Sequence, residues 1–141
     1  VLKKLDGGFL QVAEFFGGLG EGGMEYQEYL DIMCQSKYVI CPSGSMSVDS
    51  FRLYEAMECG AIPITDMHSP REKHLDGFNW WREVYPQNQV FCVSNWLDLD
   101  QKWFEEQYYN ERKKSINWWF DYKLKLHNKL LNIAKNEIKE N

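Results

Sequence analysis

The sequence predicts an α/β domain with a parallel sheet, flanking helices and a long helical tail at its C-terminus. Two observations carry that expectation. Between Lys37 and Thr65 two short apolar runs flank one helix-patterned segment, which reads as a β-α-β unit. After Trp96 the chain takes up helical spacing and becomes rich in lysine.

The elements follow in order. Leu10–Phe16 reads as a strand and Gly17–Gly23 as a glycine-rich loop. Met24–Gln35 reads as a helix with Tyr26, Leu30 and Met33 on one face. A buried strand is expected over 37–41, a helix over 49–59 and a second buried strand over 61–65. In the helix, Phe51, Tyr54 and Met57 have the spacing to face the sheet, Asp49 or Ser50 can cap it, and Gly60 stops it. Residues 66–88 are loop-like, with turn signals around Pro70 and Pro86 and a short helix between them. Val90–Val93 is a further strand. Helices fill most of 94–139, with a break expected near Asn110, and Trp118, Trp119, Tyr122, Leu126, Leu130 and Ile133 form the stripe that packs on the sheet.

Chemistry concentrates in the loop after the first strand of the β-α-β unit. Ligands of open α/β sheets bind at the carboxyl ends of strands. Here Ser43, Gly44, Ser45, Ser47 and Ser50 offer hydroxyls and backbone N–H groups just ahead of a helix N-terminus, and Asp49 stands among them. Such a terminus favours an anion because its leading donors are unpaired and its dipole is positive. Arg52 and Glu55, three apart, share one flank of the helix, where a guanidinium suits a diphosphate and a carboxylate suits a ribose diol. The bland alternative is an exposed ion pair beside an ordinary turn.

These residues bring a resemblance with them. Cys41-Pro42-Ser43-Gly44, Ser50-x-Arg52-x-x-Glu55-Ala56 and Gly60-x-x-Pro63 resemble the nucleotide-sugar-binding half of exostosin-like glycosyltransferases. The likeness is good over residues 24–100 and looser along the tryptophan-rich tail. The family's arginine after the proline is Ser43 here, which removes one phosphate contact. The resemblance implies the C-terminal, Rossmann-like domain of a two-domain GT-B transferase. It assigns donor binding to Ser43, Gly44, Ser45, Ser47, Asp49, Ser50, Arg52 and Glu55. It implies no metal and no other cofactor, a glycan or other hydroxyl acceptor, and an acceptor domain N-terminal to this chain that supplies the catalytic base. The catalytic residue is therefore unassigned.

Length and composition bound this reading. A chain of 141 residues fits one domain, about 1–110 as the Rossmann-like core and about 111–141 as a packing helix. Val1 is no natural start, so the chain reads as a fragment or a processed product. A formal charge of −5 argues against nucleic acid as a general partner. The tail is nevertheless basic, through Lys113, Lys114, Lys123, Lys125, Lys129, Lys135 and Lys139. It reads as a solvated helix face, with an anionic membrane or an acidic acceptor as the alternative. Cys34, Cys41, Cys59 and Cys92 show no metal-ligand spacing with His68, His74 or His127, and the first three read as small buried hydrophobes. No sequon, signal peptide or membrane-spanning run is present in these residues, so the compartment leans to the reducing cytoplasm, with the Golgi lumen expected for a longer eukaryotic enzyme.

Two other motifs compete. Gly18-x-Gly20-x-x-Gly23 satisfies a dinucleotide fingerprint, but the next strand runs into Pro42 where an acidic residue is required. Asp98-x-Asp100 matches a metal-binding pair, yet it stands at a helix start, where acids are favoured by the dipole. His68 and His74 follow the second strand and could approach the site as bases. The reading is a glycosyltransferase donor domain. The alternatives are a non-catalytic sugar-nucleotide-binding scaffold and, further off, a dinucleotide-binding oxidoreductase domain.

Overall fold

The computed structural model describes residues 8, 23–44, 47–69, 71, 73–75, 77–85, 90–99 and 101–140. The expected strand Leu10–Phe16 and the glycine run through Gly22 lie outside them, as do Ser45 and Asp100.

A three-stranded parallel sheet forms the centre, in the order β1 (Tyr38–Ile40), β2 (Ile62–Asp66), β3 (Phe91–Val93). Helices α1 (Tyr26–Gln35), α2 (Phe51–Glu58), α3 (Trp80–Val84) and α4 (Gln101–Glu140) accompany it. The middle strand β2 is buried along its whole length: Ile62, Pro63 and Ile64 are apolar, and the buried Thr65 hydroxyl donates to Phe91 O (3.3 Å). Ile62 pairs with Tyr38 and Ile64 with Ile40 on one side, and Ile64 with Phe91 on the other. Pro63 carries no N–H, and it stands one residue ahead of the point where pairing with β3 begins.

Helix α2 buries Leu53, Ala56 and Met57, while Phe51 is 86% exposed. This corrects the expected face. At 100° per residue the buried arc centres on Leu53, Ala56 and Met57, and Phe51, in the first turn, falls on the opposite side. In α1, likewise, Met33 is buried and Tyr26 lies in solvent. The end of α2 follows the expected stop. Gly60 takes φ 71°, its N–H donates to Met57 O (3.1 Å), and the Ala61 N–H donates to Ala56 O (2.9 Å). Those two bonds make a Schellman cap, which needs a left-handed residue at this point.

Helix α4 docks on that cap. Arg112 Nε donates to Gly60 O (3.0 Å), Trp119 Nε1 to Glu58 Oε1 (3.1 Å), and Lys123 Nζ pairs with Glu58 Oε2 (2.7 Å). The helix runs without the break expected at Asn110. Asparagine is only a few tenths of a kcal/mol worse than average in a helix, roughly 0.7 kcal/mol below alanine at most, and the anchors at Arg112 and Trp119 hold the following turns. Trp118, Trp119 and Tyr122 pack as expected, but Leu126, Leu130 and Ile133 are exposed because α4 outruns the body it covers. Against this docking face Tyr54, Trp80, Trp81, Tyr85, Trp118, Trp119 and Tyr122 form one aromatic cluster, with Trp80 and Trp81 edge-on at 4.8 Å and Tyr85 and Tyr122 at 5.2 Å between centroids. Among the described residues no helix is long and apolar enough to cross a membrane.

Candidate functional site

Parallel strands place their carboxyl ends on one edge, so the loop after β1, the segment after β2 and the end of β3 all meet there. The first of these holds most of the expected site. Cys41 closes β1, its N–H donating to Ile64 O at 2.7 Å, and the chain then turns through Pro42, Ser43 and Gly44 toward α2. Gly44 is tightly held: a Cβ there would lie 3.2 Å from Asp49 O and 3.3 Å from Ser47 O. The loop therefore folds back on its own backbone, with a further bond from the Asp49 N–H to Ser47 Oγ (3.1 Å).

Ser50 occupies the N-cap of α2 with extended backbone (φ −144°, ψ 127°), but no side chain caps the helix. The capping expected of Asp49 or Ser50 is thus not made. Ser47 Oγ is engaged in the loop turn instead. Asp49 interacts with the Tyr54 hydroxyl, which in turn meets Tyr85 Oη at 3.2 Å.

Arg52 and Glu55 stand on one flank of α2, and Tyr29 of α1 has both beside it. The Tyr29 hydroxyl, from α1, donates to Glu55 Oε2 at 2.8 Å. Burial raises the Tyr29 pKa well above its ordinary value, the Glu55 bond adds to that, and the nearby Arg52 guanidinium opposes it. Beneath them the Cys41 thiol is pushed up to about 12, chiefly by burial, with Arg52 again acting the other way. Glu55 is half-buried and Arg52 exposed, so a fixed carboxylate stands beside an outward-reaching cation. Phe51, four residues before Glu55, shares that outer face. The apolar periodicity of α1 gave no warning of Tyr29, and Phe51 was assigned to the core.

The other strand ends contribute differently. Asp66, buried at the end of β2, accepts from Trp96 Nε1 (3.0 Å) and from the His68 N–H (3.1 Å), which ties two loops together. An acid closing a buried strand was the available signal for it. His68 and His74 are exposed side chains on the segment that follows β2. Asp98 lies in a 3-10 turn, Trp96–Asp98, that is capped by Asn95 Oδ1 accepting from the Leu97 N–H (2.9 Å). Among the described residues no three His, Cys, Asp or Glu side chains are grouped to hold a metal ion.

The family model described as RXYLT1 C-terminal domain matches residues 20–138. Comparison with curated proteins and with solved structures gives no match.

Proposed function

The chain belongs to the RXYLT1 C-terminal domain family, a glycosyltransferase-related family, and from that premise we propose that it binds the nucleotide-sugar donor of a glycosyltransferase. The observation that carries this reading is the Arg52–Glu55–Tyr29 group on the outer face of α2, at the carboxyl end of β1. In it Arg52 meets the diphosphate as a forked donor, and the backbone N–H groups of the Ser43–Gly44 loop and the first turn of α2 add to the positive field. Glu55 accepts from the ribose diol through the oxygen that Tyr29 does not use, and Tyr29 fixes its orientation. Phe51 offers an exposed ring on which the base can stack.

The resemblance to exostosin-like enzymes supports a GT-B arrangement, in which this Rossmann-like domain faces an acceptor domain. On this reading the charge on the departing nucleoside diphosphate is balanced by Arg52 and oriented backbone dipoles, with no requirement for a divalent ion. The acceptor is a glycan or other hydroxyl, and the base that deprotonates it comes from the facing domain. The isolated chain therefore binds donor and transfers nothing.

Calorimetric titration with uridine and guanosine diphosphates in excess chelator, with NAD as the comparison, tests the reading. Binding of a nucleoside diphosphate that survives the chelator supports it. Loss on chelation removes the metal-free version, and binding of NAD alone replaces it with a dinucleotide domain. Sugar transfer or donor hydrolysis by residues 1–141, abolished by His68→Ala or His74→Ala, would put the base in this chain.

A further inference from the structure

Two of the four cysteines are neighbours in space although 25 positions apart in sequence, residues 34 and 59. Cys34 lies exposed in the last turn of α1, and Cys59 is half-buried at the C-cap of α2. Cys59 Sγ sits 4.0 Å from Leu30 O. In the α1 ladder that carbonyl is the acceptor of the Cys34 N–H, so the Cys59 sulfur lies over the turn that carries Cys34. The Cys34 thiol is near enough to help raise the Cys59 pKa, and Cys41 and Cys92 stand apart: Cys41 is buried at the end of β1 with its thiol toward Val39 O (3.4 Å), and Cys92 is on β3 beside Thr65. Facing the Cys59 thiol are the carboxylates of Glu55 and Glu58, on its own helix, and the Cys34 thiol of α1.

We propose that Cys34 and Cys59 are a disulfide site, closed by thiol–disulfide exchange when the chain is held in an oxidising compartment. The exposed Cys34 thiolate attacks a sulfur of a small disulfide such as oxidised glutathione, forming a mixed disulfide and releasing one thiol. Cys59 then loses its proton, and its sulfur attacks that of Cys34, expelling the second thiol. Two protein thiols are oxidised by two electrons, and the reagent disulfide is reduced to two thiols that take up both protons. Burial, the Cys34 thiol beside it and then the Glu55 and Glu58 carboxylates push the Cys59 thiol up to about 11, which makes the exposed Cys34 the first nucleophile. The bond would staple α1 to α2 beyond Tyr29, and it would persist only where the surroundings are oxidising. It is independent of what the site binds.

The test is to equilibrate the whole chain in a glutathione redox buffer, alkylate the remaining thiols and digest with trypsin. Cleavage after Lys37 and after Arg52 puts Cys34, Cys41 and Cys59 on separate peptides, so the pairing is read without ambiguity. A Cys34–Cys59 linked pair, with Cys41 and Cys92 alkylated, is the expected result. The oxidised chain should also melt about 10 °C above the Cys59→Ser variant, from the chain-entropy relation for a loop of this size. Four alkylated cysteines after equilibration, or a link from Cys34 to any other cysteine, would overturn the proposal.

Discussion

Arg52→Ala separates a ligand-binding arginine from a surface one. Arg52 is exposed on α2 and lies outside the Leu53–Ala56–Met57 face, so its removal should change unfolding free energy by no more than about 0.5 kcal/mol. A hydrogen bond to a charged partner contributes roughly 1.5–3 kcal/mol, which sets the expected loss of nucleoside diphosphate affinity at about 10- to 150-fold. Solvent around the guanidinium draws the figure toward the lower end and makes it fall with salt. Calorimetry on parent and variant at two ionic strengths measures the loss, and urea denaturation on the same samples measures stability. Arg52→Lys should recover part of the binding, because it keeps the charge and loses the fork. Equal affinities for parent and Arg52→Ala would refute the argument and leave Arg52 as an exposed surface residue.

Four more outcomes are expected. Phe51→Ser should leave stability within about 0.5 kcal/mol, whereas Leu53→Ala, at a fully buried position, should cost about 2–5 kcal/mol in urea unfolding. Tyr29→Phe removes the bond to Glu55 from a half-buried place and should cost about 1 kcal/mol of stability, with a matching loss of donor affinity measured by calorimetry. Gly60→Ala should cost about 1 kcal/mol, from the left-handed φ of 71° alone, since the nearest atoms, Ile116 Cδ1 at 3.6 Å and Arg112 Nη2 at 3.7 Å, leave room for a methyl group. Burial pushes the Cys41 thiol from its ordinary 9.0 up to about 12 and raises Tyr29 and Tyr54 as well, so their contribution is complete below pH 9 and is lost as pH climbs toward 12. Urea unfolding between pH 8 and 11 should show that decline, and Cys41→Ala should flatten it.

What was legible in the residues was mostly local. The β-α-β unit announced itself because Ala61–Ile64 is apolar without interruption and Gly60 stands as a stop after the helix-patterned run, and the i, i+3 spacing of Arg52 and Glu55 brought them to one flank whatever surrounded the helix. Tyr29 was hidden because its bond to Glu55 depends on how α1 lies on α2, a tertiary fact with no trace in either helix's own spacing. Phe51 misled for a related reason: periodicity shows that a face exists, but hydrophobicity alone chose the wrong edge of it. Along α4 the apolar pattern continues through Ile133, while the packing partners end near Lys123. A stripe records which side faces inward and says nothing about how far the body beneath it extends. Forty helical residues span about 60 Å at 1.5 Å each, longer than the small sheet beneath them.

The aromatic cluster also makes the chain a reporter of its own state. Trp80 and Trp81 at 4.8 Å, and Trp118 stacked on Tyr122 at 5.6 Å, are close enough for their excited states to couple, which produces strong near-ultraviolet circular dichroism only while the rings are held rigidly. Tyrosines 54, 85 and 122 lie at distances from the tryptophans over which energy transfer is efficient, so native emission comes from indole and tyrosine emission returns on unfolding. Tyr54 belongs both to this cluster and to the helix that carries Arg52 and Glu55. Rearrangement of α2 is thereby written into the protein's own spectrum, without a label.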